Sequence, residues 1–339
     1  MKTKESLVVA LTITLFLLDA IPLFYSITYA GEAAPKKITF AYTSYSPNML
    51  WFLMEKDLGF FRAEGFSPEF ILVRDSGIAT KGLIAGNFDY ITPTGTVADP
   101  IIRSRVPLKL VFTALTVHYS LIARPEIRSI GDLKGKKIGI ASIGSSNDLI
   151  LREILRRHGI EPLKDTSLLA ISSSSRDRFA ALTSQGIDAT FLSAPFDFKA
   201  QEMGYRSIAK ASEYLKWPQA GLATSDLKIQ QDSQETAKIV RAALKGLIFA
   251  LTQKDFVISK SMQMFRLSQA EAIHSYESLK PETVPSGYLS EGEQQTTISL
   301  IKQGANIKED IPPERVFDYR FVKQAEQELK GWQPQAPKK

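Results

Sequence analysis

The groups in this chain best suited to chemistry are hydroxyls and free backbone N–H groups gathered in front of helical stretches. Four clusters stand out: Ser44 to Asn48, Ser76-Gly77, Ser145-Ser146 and Ser173 to Ser175. A helix start presents unpaired N–H donors at the positive end of its dipole, so such a cluster can hold an anion without a formal positive charge. Each cluster alone reads equally well as an ordinary N-cap; four brought to one place would make a site. Tyr45, Tyr119 and Phe196 could wall it, as could Trp51, whose apolar surroundings fit a core position better. Arg176 and Asp75 are charged candidates, each as readily a surface residue as a cleft partner.

A catalytic site needs a base beside a nucleophile, or a metal cluster. The chain has three histidines, His118, His158 and His274. His158 ends a helix, where a positive charge suits the dipole, and His274 lies in a late helix; both read as surface residues. His118 sits in a loop beside Tyr119 and Ser120, as a ligand contact or as a structural loop residue. No two histidines have metal-ligand spacing, and there is no G-x-S-x-G elbow, phosphate loop or dinucleotide fingerprint. With no cysteine, neither disulfides, thiolate metal sites, a cysteine nucleophile nor an acylated lipoprotein anchor is expected. No cofactor and no metal are expected either.

The elements that must position these groups are plainest in one stretch, Val73 to Val97. Before it, Phe70 to Val73 is a short apolar run, as in a strand buried in a parallel sheet. Asp75, Ser76 and Gly77 break the run, and Ser76 can cap the helix that follows. Gly86 and Asn87, which tolerate a left-handed backbone, end that helix. Tyr90-Ile91 then opens a strand that stops at the loop Thr92-Pro93-Thr94-Gly95-Thr96. Ser172 to Pro195 repeats the plan: a serine-rich loop, a helix capped by Gly186, a strand from Ile187 to Leu192, and Ser193-Ala194-Pro195 in place of Thr94-Gly95-Thr96. Leu83 and Asp89 share their six-residue spacing with Leu182 and Asp188. In open α/β sheets ligands bind at the edge where such loops lie, so two half-sites facing each other predict a cleft.

Around this pair, strands alternate with helices, which predicts mainly parallel sheets covered on both faces. Changes of register near Arg124 to Lys137 and at Trp217 to Ser225 predict two lobes joined by two strands, an arrangement that suits hinge closure. Lobe I is expected over 36–123 plus 222–330, lobe II over 124–221, and a disordered tail over 331–339. The length of 339 residues allows two domains, and 44% hydrophobic with 23% charged content is that of a folded protein. The net charge of +6 comes without a long run of Lys or Arg, so it reads as dispersed surface charge and not as a nucleic-acid stripe. Lys2, Lys4, the apolar run Leu7 to Leu18 and Thr28-Tyr29-Ala30 fit a secretory signal over 1–30. The competing reading is a retained anchor, opposed by Asp19 in its middle, where a charge costs roughly 2.5–3.5 kcal/mol.

The chain resembles a known family. Glu55 to Phe61 with Glu64-Gly65-Phe66, Leu83 to Asp89, Asp132 to Ile140, Ala181-Leu182 with Gly186 to Ala189, and Val316-Phe317-Asp318 carry the likeness. Their order and spacing resemble those of the substrate-binding proteins of ABC importers in the nitrate/sulfonate/taurine group, the NMT1/THI5-like or SsuA/THI5-like family. The resemblance implies an α/β, type II periplasmic-binding-protein fold. It implies a monomeric, non-enzymatic periplasmic protein that delivers a small solute to an ABC permease in the inner membrane, with no nucleic-acid partner. It puts ligand contacts at Ser44, Tyr45, Ser76, Gly77, Thr94, Ser145, Ser146 and Ser193, to which the loop residues His118 and Tyr119 are added. It does not name the ligand, since members bind sulfonates, nitrate, bicarbonate, pyrimidine precursors and aromatic carboxylates. The pyrimidine-synthesising branch relies on a cysteine-rich motif that this chain lacks. Two other readings stay open: an enzyme on the same fold using His118 with Asp75 or Tyr119, and a membrane-tethered sensor domain.

Overall fold

The computed structural model describes residues 34–335 apart from Arg74; the expected secretory segment 1–30 and the last four residues lie outside the described residues. The strands in chain order are β1 (Lys36–Tyr42), β2 (Phe66–Leu72), β3 (Tyr90–Ile91), β4 (Leu108–Thr116), β5 (Ser120–Ala123), β6 (Lys137–Ile140), β7 (Ser167–Ala170), β8 (Ala189–Leu192), β9 (Arg206–Lys210) and β10 (Pro218–Ser225). They form two five-stranded sheets, ordered β2-β1-β3-β10-β4 and β7-β6-β8-β5-β9. In the first, β1 runs parallel to β2 and β3; in the second, β6 runs parallel to β7 and β8. The fourth place in each sheet is filled by an antiparallel strand that arrives from the other half, β10 and β5 respectively. The two sheets therefore share one order and one set of directions, as the sequence repeat predicts.

This topology corrects the expected lobe boundaries. β5 pairs with β8 on one side and β9 on the other, so residues 120–123 belong to the second sheet and the first crossover is at 117–119. The return begins at Pro218, opposite Thr116 of β4, and not at 222. A four-residue apolar strand buries both faces in either sheet, so its composition cannot say which one it joins.

Three single-turn segments at Leu50–Leu53, Glu55–Leu58 and Phe60–Ala63 precede the longer helices. Those are α1 (Ser76–Ile84), α2 (Ala98–Ser104), α3 (Ser146–Arg157), α4 (Ser175–Thr183), α5 (Phe196–Glu202), α6 (Asp226–Gln231), α7 (Ser233–Thr252), α8 (Lys254–Phe265), α9 (Gln269–Leu279), α10 (Glu291–Ala305) and α11 (Arg320–Glu328). α7 buries Ile239, Val240, Ala243, Leu244 and Leu247, the stripe its three- and four-residue spacing predicts, and Asp232 caps it by accepting from Glu235 N at 2.9 Å. Under the first sheet Phe40 has Phe52, Phe61, Phe70 and Tyr90 around it at ring distances of 5.0–5.6 Å. Each such side chain contributes about 1.5–3 kcal/mol by leaving water. Gly59 turns the chain with φ 65°, and the buried Glu55 carboxylate accepts from Phe61 N at 3.0 Å and Arg62 N at 3.2 Å, capping the turn that follows.

The repeat has a structural purpose. Asp89 Oδ2 accepts from Thr39 N at 2.8 Å, and Asp188 Oδ2 accepts from Lys137 N at 2.8 Å. In each half the aspartate just before the third strand clips it to the first, at the middle of β1 and at the start of β6. Two caps differ from expectation. Asp75, not Ser76, caps α1, its Oδ1 accepting from Ile78 N at 2.8 Å. After α4 the left-handed residue is Gln185 (φ 62°) in place of Gly186, whereas Gly86 (φ 77°) serves α1 as expected. The tail expected from 331 is still tied to the core at two points: Trp332 packs on Phe60 at 5.8 Å, and Gln253 Nε2 donates to Pro334 O at 3.2 Å.

Candidate functional site

Loops at the C-terminal ends of β1, β2, β3, β6, β7 and β8, with the starts of α1, α3 and α4, enclose a cleft with about 400 Å³ of room. Ser44, Tyr45, Ser76, Tyr119, Ser145, Ser146 and Ser193 line it, as do Arg176 and Phe196. Gly77, Thr94 and His118 do not, and Asp75 is occupied as the α1 cap. A Cβ on Gly77 would lie 3.1 Å from Asp75 Oδ1, so this glycine belongs to the cap. Thr94 is fully buried, with its hydroxyl unpartnered. Trp51 is a core residue, with Phe52 and Phe112 at 5.4 and 5.5 Å.

His118 is corrected to a structural role. Its Nδ1 lies 3.3 Å from Thr116 O, and its Nε2 lies 3.3 Å from Asn48 Nδ2. A carbonyl only accepts, so Nδ1 carries the proton and Nε2 accepts from the amide. Withdrawal from solvent holds its pKa below that of a free imidazole. The pairs that an acid–base site would use are not assembled: Tyr119 OH accepts from Gln219 Nε2 at 2.7 Å, and Asp75 caps α1. Of the other histidines, His158 is exposed with Nε2 2.9 Å from Tyr214 OH, whereas His274 is half-buried between helices. Among the described residues no group of three His, Cys, Asp or Glu is placed to hold a metal ion.

The serines divide by what their hydroxyls already do. Ser145 Oγ donates to Ser142 O at 2.7 Å and accepts from Asp148 N at 3.3 Å, which makes it the α3 cap. Ser146 Oγ donates to Gln219 Oε1 at 3.3 Å, and that glutamine holds Tyr119, so a polar chain runs from α3 through β10 to the first crossover. Ser193 Oγ is 3.1 Å from Ser175 Oγ, which also accepts from Arg178 Nη2 at 3.2 Å.

Arg178 is the residue that sequence reasoning missed. It lies on the cleft floor and is 1% exposed. Its Nε donates to Phe191 O at 3.1 Å and its Nη1 to Ser172 O, and among the described residues no carboxylate lies within ion-pair distance. Burial pulls its pKa down from the ordinary value, yet a guanidinium stays charged in a protein. An unpaired buried cation is costly, and an anion in the cleft would supply the missing charge. Also in the cleft lining, Asn147 Oδ1 accepts from Ala141 N at 3.1 Å, while its buried Nδ2 has no acceptor. The available signal was positional: Arg176 and Arg178 occupy the first turn of α4, where a cation opposes the helix dipole.

A family model described as NMT1/THI5 like matches residues 46–255, which is 210 of the 339 residues. No curated protein matches the chain by sequence. Solved structures do match in shape. A protein from Bordetella bronchiseptica RB50 superposes with a TM-score of 0.76 at 16% identity, over 88% of this chain and 99% of that one. The periplasmic aliphatic sulphonate binding protein SsuA of Escherichia coli gives 0.64 at 17% identity, over 84% and 98%. The periplasmic nitrate-binding protein NrtA of Synechocystis PCC 6803 gives 0.72 at 11% identity, over 87% and 89%. The shared feature is the type II periplasmic-binding-protein fold, with its two like sheets and double crossover.

Proposed function

The chain belongs to the NMT1/THI5-like family, and from that premise we propose that it is the extracytoplasmic solute-binding protein of an ABC importer. It acts as a monomer in the periplasm, after secretion through a cleaved N-terminal segment. Its two lobes close over a small organic anion, a sulfonate, carboxylate or pyrimidine-like compound, and the closed form is read by a permease in the inner membrane. Ser44, Tyr45, Ser76, Tyr119, Ser146, Ser193 and Arg178 are the solute contacts, with the free Asn147 amide as a further donor.

Arg178 carries this reading: a buried guanidinium on the floor of a cleft, held by carbonyls and a hydroxyl and awaiting a counter-charge. The room of about 400 Å³ is that of a site for a small organic molecule. A thermal-shift screen of sulfonates, carboxylates and pyrimidines tests it. An anionic organic compound is expected to stabilise the protein, by about 2.7 kcal/mol at a hundredfold excess over Kd, and to lose that effect in Arg178→Met. Stabilisation by cations only, or turnover of a compound in place of stable binding, overturns it.

A further inference from the structure

On α3, Leu149, Arg152, Glu153 and Arg156 recur at three- and four-residue steps, so they share one helix face. That face borders a groove with about 470 Å³ of room, whose other wall is α2 and the end of α10 from the first lobe. Ile150, Leu215, Trp217 and Ile301, all buried, form its floor. Three arginines line it, Arg152 and Arg156 from the second lobe and Arg103 from the first.

These arginines hold spare donors. Arg103 Nε donates to Asp99 Oδ1 and Arg152 Nε to Asp148 Oδ1, each at 2.6 Å, and neither uses its Nη groups in a hydrogen bond among the described residues. Arg103 Nη2 lies over Gly304, 3.6 Å from where a Cβ would stand, which puts the end of the fork at the groove wall. Arg156, exposed in the last turn of α3, has neither an ion-pair nor a side-chain hydrogen-bond partner among the described residues. The one carboxylate in the lining, Glu153, is engaged by Arg157, whose Nε donates to its Oε1 at 2.8 Å. Like charges one turn apart, as at Arg152 and Arg156, are unfavourable without a counter-charge. A guanidinium fork matches a carboxylate or a phosphate.

We propose that this groove is a second anion site, which takes a small organic molecule bearing two or more negative charges as carboxylates or phosphates. The anion bridges Arg103 of the first lobe to Arg152 and Arg156 of the second. The room is that of a site for a small organic molecule, more than a simple inorganic anion fills. The groove shares no lining residue with the solute cleft, whose charge is carried by Arg178. The anion site therefore does not depend on the function proposed above.

Citrate and pyrophosphate are the probes, titrated calorimetrically into the whole protein at fixed ionic strength. At least one of them is expected to bind. Arg156→Gln and, separately, Arg103→Gln are expected to weaken it at least about tenfold. Gly304→Glu, which sets a carboxylate beside Arg103, is expected to do the same with every arginine in place. Lys164→Gln, at an exposed position of the second lobe outside the groove, and folded Arg178→Met should leave the affinity within about twofold. No binding of either probe up to about 1 mM, or an equal loss in Lys164→Gln, overturns the site. So does a loss in Arg178→Met that Arg156→Gln does not share, since it places the probe in the solute cleft. A loss confined to one lobe's arginine overturns the bridge. If no alkanesulfonate, carboxylate or pyrimidine binds the cleft while a probe still binds the groove, the solute-binding reading fails and the second site stands.

Discussion

Trp217 Nε1 donates to the carbonyl oxygen of Gly95 at 3.2 Å, joining the second crossover to the loop after β3. A Cβ on Gly95 would lie 2.8 Å from Pro218 O and 3.2 Å from Ser146 Cβ. At this one residue the first lobe, the crossover and the start of α3 meet with no room to spare. Gly95→Ala is therefore expected to push them apart and to cost about 1–3 kcal/mol of stability, read as a lower urea midpoint. Ser146 would shift with α3, so solute affinity should fall too. An unchanged midpoint would contradict this packing.

Arg178→Lys keeps the charge but not the fork that reaches Phe191 O, Ser172 O and Ser175 Oγ together. Affinity for an anionic solute is expected to drop at least about tenfold, or 1.4 kcal/mol, by isothermal titration calorimetry. Equal affinity would mean that the arginine's geometry is not used.

Thr94→Val is expected to be neutral or stabilising by up to about 1 kcal/mol, because it replaces a fully buried hydroxyl that has no partner. Solute affinity should stay within about twofold, since Thr94 does not line the cleft. Calorimetric unfolding and a binding titration check both; a large loss of affinity would return Thr94 to the site.

Burial alone would raise the Asp89 pKa, but hydrogen bonds from Lys228 and Thr39 outweigh it and hold the carboxyl below its ordinary range. Glu64 is held down likewise against its burial by Arg241 and Lys245. A depressed carboxylate contributes stability that is present above the unfolded pKa, about 4, and is lost as pH falls through the folded value. Stability should therefore decline on acidification below about pH 5. Asp89→Asn should be less stable at neutral pH by about 1–3 kcal/mol and should show a shallower decline in that window. Urea unfolding at a series of pH values decides it; a parallel decline in parent and variant would reassign the acid sensitivity.

Much of the framework around the cleft is legible in the sequence. The Leu83–Asp89 and Leu182–Asp188 spacings mark two halves with one plan, because each aspartate must reach back to the first strand of its own sheet. The serines before α3 and α4 lie at the cleft because strand ends and helix starts share one edge of a parallel sheet. Residues whose role depends on distant neighbours were not legible. His118 looked available in its loop, yet Asn48, seventy positions away, occupies its Nε2. Gln219 showed no motif, but it links Ser146 to Tyr119.

The element types along most of the chain and the repeat of one plan in two halves can be read from sequence, because periodicity, caps and turn residues act over a few positions of chain. Long-range packing sets the rest: residues 120–123 join the second sheet, and Arg178 is buried with no carboxylate within ion-pair distance among the described residues. Strand partnership, burial and charge pairing are set by groups far apart along the chain, and local composition does not encode which of them come together.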